Sequence, residues 1–273
     1  MSDDFAYDPV TAVDEASATG RTAEIFADIR ETMGIPLVTS IWRGLADMDG
    51  SLQSTWDATR PIFLSGHTEP ALARMIHNTP LPLPPALPAS LLDCAGIDLV
   101  QLASIRTIID AYNRSNGMNL VALAALLSPA PTVREQTLGR NLPVWNTLPS
   151  LPSRQGVDPD TWDLVRHVNA LGSSGLDAHV ATLWRHLSRW PAFLSVTYTA
   201  FAPMQADGSV ARAANQMVKL AHDEGRRLSA WRDPATDLTE PARKTITAYV
   251  TSPHQVARMV AIGHAMAAWL PKP

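Results

Sequence analysis

The segment from Trp42 to Pro61 recurs in diverged form 142 residues further on, and this recurrence constrains the fold more than any other feature of the chain. Trp42, Arg43, Leu45, Leu52, Thr55, Ala58 and Pro61 meet Trp184, Arg185, Leu187, Leu194, Thr197, Ala200 and Pro203, while Trp56 meets Tyr198. Average residue usage predicts only about one or two identities over such a span. A second echo, TIIDAYNRSN at 107–116 against TITAYVTSPH at 245–254, keeps the same order in each half. Two copies of one unit, with a Trp-Arg helix first and an Ala-Tyr helix later, make an intrachain pseudo-dimer. Chance likeness between amphipathic helices is the competing explanation.

Apolar periodicity makes both units helical. In RTAEIFADIRETMG, Ile25, Phe26, Ile29 and Met33 share a face, and Gly34 with Pro36 ends the helix. Helix is predicted to continue over 38–60, with Val38, Ile41, Trp42, Leu45 and Met48 on one side, and again over 70–77. TPLPLPPALP at 79–88 forbids regular structure, because proline lacks the backbone donor. A further helix is expected over about 98–112, a break at SNG (115–117), and resumption over 118–127. The stretch 128–160 carries six prolines and reads as a long extended connection, pinned to the core by Trp145 and Leu148. Helices then follow over about 161–171, 176–202 and 209–230, with GSSG (172–175) as a loop. Thr239 caps the next helix, with proline in its first turn; SPH at 252–254 breaks it, and 255–269 completes the chain. The expectation is an all-α protein: a first repeat at 1–127, the Pro-rich connection at 128–160, and a second repeat at 161–273.

Hydrophobic residues at 46% and charged residues at 18% indicate a globular chain with a substantial core. The net charge of −4 offers no field for nucleic acid or anionic lipid. Cys94 is the only cysteine, which excludes an internal disulfide and a cysteine-based zinc cluster and suggests a reducing, cytoplasmic setting. MSDDFAYDPV lacks the order of a signal peptide, and LVALAALL at 120–127 is too short to span a membrane. His67, His77, His254 and His264 show no ligand spacing, and no nucleotide or serine-hydrolase motif occurs, so no metal or cofactor is expected.

Three segments, in this order and spacing, carry a resemblance over most of the chain. IFADIRETMGIPLVTSIWRGLADMDGSL, AYNRSNGMNLVALAALL and LSRWPAFL together resemble the group I (DehI-type) 2-haloacid dehalogenases. The resemblance implies an all-α fold of two repeats and cofactor-independent removal of halide from 2-haloalkanoic acids. In that family a carboxylate and an asparagine activate a water that attacks C2 and inverts it. Carried onto this chain, the asparagine falls on Asn116 and the serine before the catalytic aspartate on Thr182. The aspartate itself falls on Leu183, two pocket aromatics on Leu37 and Ser40, and a tyrosine on Asn119.

A leucine takes no proton from water, so a replacement base is sought nearby. His179 lies one helical turn before Leu183 and His186 nearly one turn after it, and histidine has a suitable pKa. Asp177 reaches His179 only through a bend, because residues two apart do not share a helix face. The candidate catalytic residues are Asn116 and His179, and the candidate substrate-binding residues are Leu37, Ser40, Asn119, Thr182, Leu183 and His186. Trp42 and Trp184 are read as filling the repeat interface, and Arg43 and Arg185 either close a hydrogen-bond network there or clamp a substrate carboxylate. The leading expectation is a dehalogenase-like hydrolase performing nucleophilic substitution on a small carboxylate-bearing molecule, with a base other than aspartate. Ring closure by intramolecular displacement of halide or sulfate stays open, as does a non-catalytic partner subunit in a homo- or hetero-oligomer.

Overall fold

A computed structural model describes residues 12–129, 134–176 and 179–271. Among these residues there are twelve α-helices and no strand. In chain order the helices are α1 (Gly20–Met33), α2 (Ser40–Leu45), α3 (Ser51–Leu64), α4 (Thr68–His77), α5 (Ala89–Cys94) and α6 (Leu99–Leu126). They are followed by α7 (Pro159–Asn169), α8 (Thr182–Leu187), α9 (Pro191–Ala206), α10 (Ser209–Leu228), α11 (Glu240–Thr251) and α12 (Arg258–Trp269). None is long and apolar enough to cross a membrane. The all-α expectation holds.

Local chemistry explains most boundaries. Gly34 takes the left-handed conformation that stops α1 (φ 58°) and returns its N–H to the Arg30 carbonyl. Thr239 accepts from the Ala242 N–H at 3.2 Å and caps α11. Asp98 accepts from the Gln101 N–H at 2.8 Å while the Gln101 side chain returns a bond to the Asp98 N–H, a capping box for α6.

Four expected boundaries are corrected. Residues 38–60 are not one helix: the chain turns over 46–50, and left-handed Gly50 (φ 64°) starts α3 afresh. The helix placed at 176–202 starts only at Thr182 and is broken before Pro191, which has no N–H to give and so opens α9 instead. The last helix begins at Arg258, because the backbone of Gln255 is non-helical within the π-turn Pro253–Ala257. Most informative, SNG at 115–117 breaks nothing, and α6 runs through it for 28 residues. Gly117 is there for close packing: a Cβ on it would stand 2.4 Å from Leu72 Cδ1.

The hydrophobic residues form two cores. One gathers Phe26, Trp42, Trp56, Phe63 and the end of α6 (Met118–Leu126) with Met217, Ile246 and Val260. The other gathers the start of α6 (Leu102–Tyr112) with Trp162, Trp184, Phe193, Phe201 and Met266. Each core thus takes helices from both halves, and α6 passes from one into the other. Trp42 and Trp184 lie fully buried in different cores rather than against each other. The Pro-rich segment runs along the surface, tied down at several points. The Trp145 indole donates to the Gly34 carbonyl at 2.9 Å, Arg140 to the Thr32 carbonyl at 2.7 Å, and the Leu138 N–H to the Ser65 carbonyl at 2.8 Å.

Candidate active site

Where α6 crosses between the cores, a cavity of about 560 Å³ opens among α2, α6, α8, α11 and the turn before α12. Tyr112 and Asn116 reach it from α6, one turn apart and therefore on one face. Pro241, Lys244, Thr245, Ala248 and Tyr249 follow the same helical spacing along α11. Thr39, Ser40, Ile41 and Met48 close one side, and His179, Ala181, Thr182 and Leu183 close another. Gln255, Val256, Arg258 and Met259 supply the remainder.

Asn169, at the end of α7, fixes the backbone around His179. Its amide donates to the His179 carbonyl at 3.0 Å, and its carbonyl oxygen accepts from the Ala181 N–H at 3.0 Å. Arg258 grips the same loop from the other side. Its Nη1 donates to the carbonyls of Asn169 (2.7 Å) and Leu171 (3.0 Å), and its Nε donates to the His254 carbonyl at 2.8 Å. Nη2 makes one long bond, 3.3 Å to Asn169 Oδ1.

The electrostatics are one-sided. Arg258 is 3% exposed and has no acidic partner among the described residues, so burial lowers its pKa to about 10. Lys244 is the second cation of the lining, and among the described residues no aspartate or glutamate lines the cavity. The His179 side chain borders the opening and is exposed there, yet crowding by surrounding protein, and secondarily the charge of Arg258, holds its pKa below the usual histidine value. It is therefore a neutral imidazole at neutral pH, able to accept a proton. Burial raises the pKa of Tyr112 and Tyr249, so both remain O–H donors.

Five of the eight candidate residues meet at this cavity: Asn116, His179, Ser40, Thr182 and Leu183. Three do not line it. Leu37 packs into the second core. Asn119 is fully buried behind the wall, where it accepts from the Trp42 indole at 3.1 Å and donates to Thr39 Oγ1 at 2.9 Å. It thereby orients Thr39, which does face the cavity. His186 turns away to the Pro-rich segment, 2.7 Å from the Pro149 carbonyl. Neither Arg43, whose Nε donates to the Val13 carbonyl at 2.8 Å, nor buried Arg185 lines the cavity. Asp177 lies outside the described residues. Arg258, Lys244, Tyr112 and Tyr249 were not among the candidates; the shared Ala-Tyr dipeptide held a signal for the two tyrosines, and nothing comparable marked Arg258 or Lys244. Among the described residues, no group of three or more His, Cys, Asp or Glu side chains is placed to hold a metal ion.

No family model matches the chain. It is 21% identical, over 247 residues, to a configuration-inverting 2-haloacid dehalogenase of Pseudomonas sp. (strain 113), spanning 83% of this chain and 80% of that protein. A mutant D-2-haloacid dehalogenase in complex with D-2-CPA superposes with a TM-score of 0.76 over 95% of each chain, at 14% identity. A D-2-haloacid dehalogenase with L-LA gives 0.74 over 94% of this chain and 95% of that one, at 13% identity. The arrangement of helices around the cavity is therefore shared far beyond what residue identity retains, and the chain has the all-α fold of the D-2-haloacid dehalogenases.

Proposed function

We propose that the chain is a dehalogenase-like hydrolase that displaces a leaving group from the carbon next to a substrate carboxylate by direct substitution. The observation that carries this is the cavity itself, which joins Asn116, His179, Thr182 and a buried Arg258 that has no acidic partner among the described residues, within the fold of the D-2-haloacid dehalogenases. Arg258 holds the substrate carboxylate, because a buried cation with no acidic partner among the described residues gains most from an anionic ligand. Asn116 aims a water at the carbon opposite the leaving group. His179 takes one proton from that water as the O–C bond forms; the C–X bond breaks and its electron pair departs with the halide. Leu183 stands where the family resemblance places an aspartate, and His179 supplies the base in its stead.

The test is chloride release from both enantiomers of 2-chloropropionate and from longer analogues, measured by ion chromatography, with Asn116→Ala and His179→Gln as comparisons. Failure to release halide from any substrate of a broad panel would overturn the proposal. A second reading, ring closure by a nucleophile within the substrate, is favoured by a lining with no acidic side chain among the described residues and by its apolar members Ile41, Met48, Leu183, Val256 and Met259. Turnover in ¹⁸O-water separates the two: hydrolysis places one labelled oxygen on the product carbon, and ring closure places none.

A further inference from the structure

Among the described residues, the two cations of the cavity lining differ in their surroundings. Arg258 is immobilised, since its guanidinium is committed to the carbonyls of Asn169, Leu171 and His254. Lys244, by contrast, is exposed on α11, where it borders the same cavity. Lys244 has no acidic group within ion-pair distance among the described residues, although Glu240 lies one turn away on the same helix. The cavity's 560 Å³ falls within the range of roughly 300–1,000 Å³ typical of pockets for much larger ligands than a short-chain haloacid.

We infer that the substrate carries two anionic groups, one beside the reacting carbon at Arg258 and a second, further along the molecule, at Lys244. This rests on the displacement reading above for the identity of the reacting carbon. The second group pairs with a cation that has no acidic partner among the described residues, so Lys244 sets specificity while Arg258 sets orientation. A monoanionic 2-haloalkanoate fills only part of the cavity and leaves Lys244 unpaired.

Calorimetric titration of the intact protein with 2-chlorosuccinate and 2-chlorobutanoate tests this directly. The two share chain length, reacting centre and leaving group, and differ in the second carboxylate. The dianion is expected to bind about fivefold more tightly or better at low ionic strength, with the preference shrinking as salt is added. In Lys244→Met the two affinities should converge, while Arg258→Gln weakens both ligands. If Arg258→Gln does not fold, Arg258→Lys, which keeps the charge but not the planar fork, replaces it and should weaken both to a smaller degree. Equal affinities in the unmodified protein, or a preference that survives Lys244→Met, would overturn the inference. Chloride release is read separately in the same samples. Selective binding of the dianion without chloride release overturns displacement and leaves the two-anion site standing; chloride release from both compounds without any preference does the reverse.

Discussion

Gly225 decides how closely α10 approaches α6, and replacing it by alanine sets two effects of known size against each other. It lies in α10 and faces the backbone of α6; an added Cβ would stand 2.9 Å from the carbonyl carbon and the Cβ of Ala124 and 3.0 Å from the Ala125 nitrogen. Ordinary contact begins near 3.4 Å. Helix propensity alone favours alanine by about 1 kcal/mol. Overpacking costs about 1–3 kcal/mol, and the upper end applies because helical backbone cannot rotate aside as a side-chain tip can. The net expectation is a loss of about 1–2 kcal/mol, or a Tm lowered by roughly 3–6 °C for a chain of this size. Gly44 in α2 is the control: no heavy atom lies within 4 Å of its Cβ position, so Gly44→Ala should gain up to about 1 kcal/mol. Both variants are read by scanning calorimetry against the parent. A Tm for Gly225→Ala that rises as far as that of Gly44→Ala would refute the reasoning, since the α6–α10 approach would then be looser than it is drawn.

Three further outcomes follow from the site and its surroundings. If His179 is the base, as proposed, the turnover rate should climb as pH rises through its depressed pKa and then level off; His179→Gln should abolish that limb, and a parent profile without it would remove His179 from the mechanism. Arg258→Met strands the carbonyls of Asn169, Leu171 and His254, each worth about 1–3 kcal/mol when left without a donor, partly offset by no longer burying a charge. A net loss of about 3 kcal/mol should appear in urea unfolding, and an unchanged midpoint would count against the clamp. Asp28 has its carboxyl pKa lowered, chiefly by the Arg60 hydrogen bond and then by those from Trp56 and Thr32. Its contribution to stability is therefore complete above the ordinary aspartate range and is lost as pH falls through the depressed value. Asp28→Asn should lose stability at neutral pH and converge with the parent in acid; a constant difference across pH would refute the assignment.

Helical periodicity, proline placement and the Gly34 and Thr239 positions are local properties, and they account for most of the all-α architecture read from the sequence alone. The segments around Asn116 and Leu183 likewise pointed to residues that meet in space, because helical spacing carries Tyr112 with Asn116 onto a common face; the recurrent Trp42 and Trp184 instead lie in different cores. What sequence could not supply was the meaning of a residue whose partner is distant in the chain. Gly117 reads as a helix breaker until Leu72 is placed against it. Asn119 and His186 read as pocket residues until Trp42, Thr39 and Pro149 claim their hydrogen bonds. Arg258 stands in an unremarkable amphipathic run, and only the folding of α7 and the π-turn around it turns an ordinary surface residue type into a buried cation facing a cavity. The elements were decided by short-range sterics and hydrogen bonding; the site was decided by which helices pack together, and with it the desolvation that gives Arg258 and His179 their chemistry.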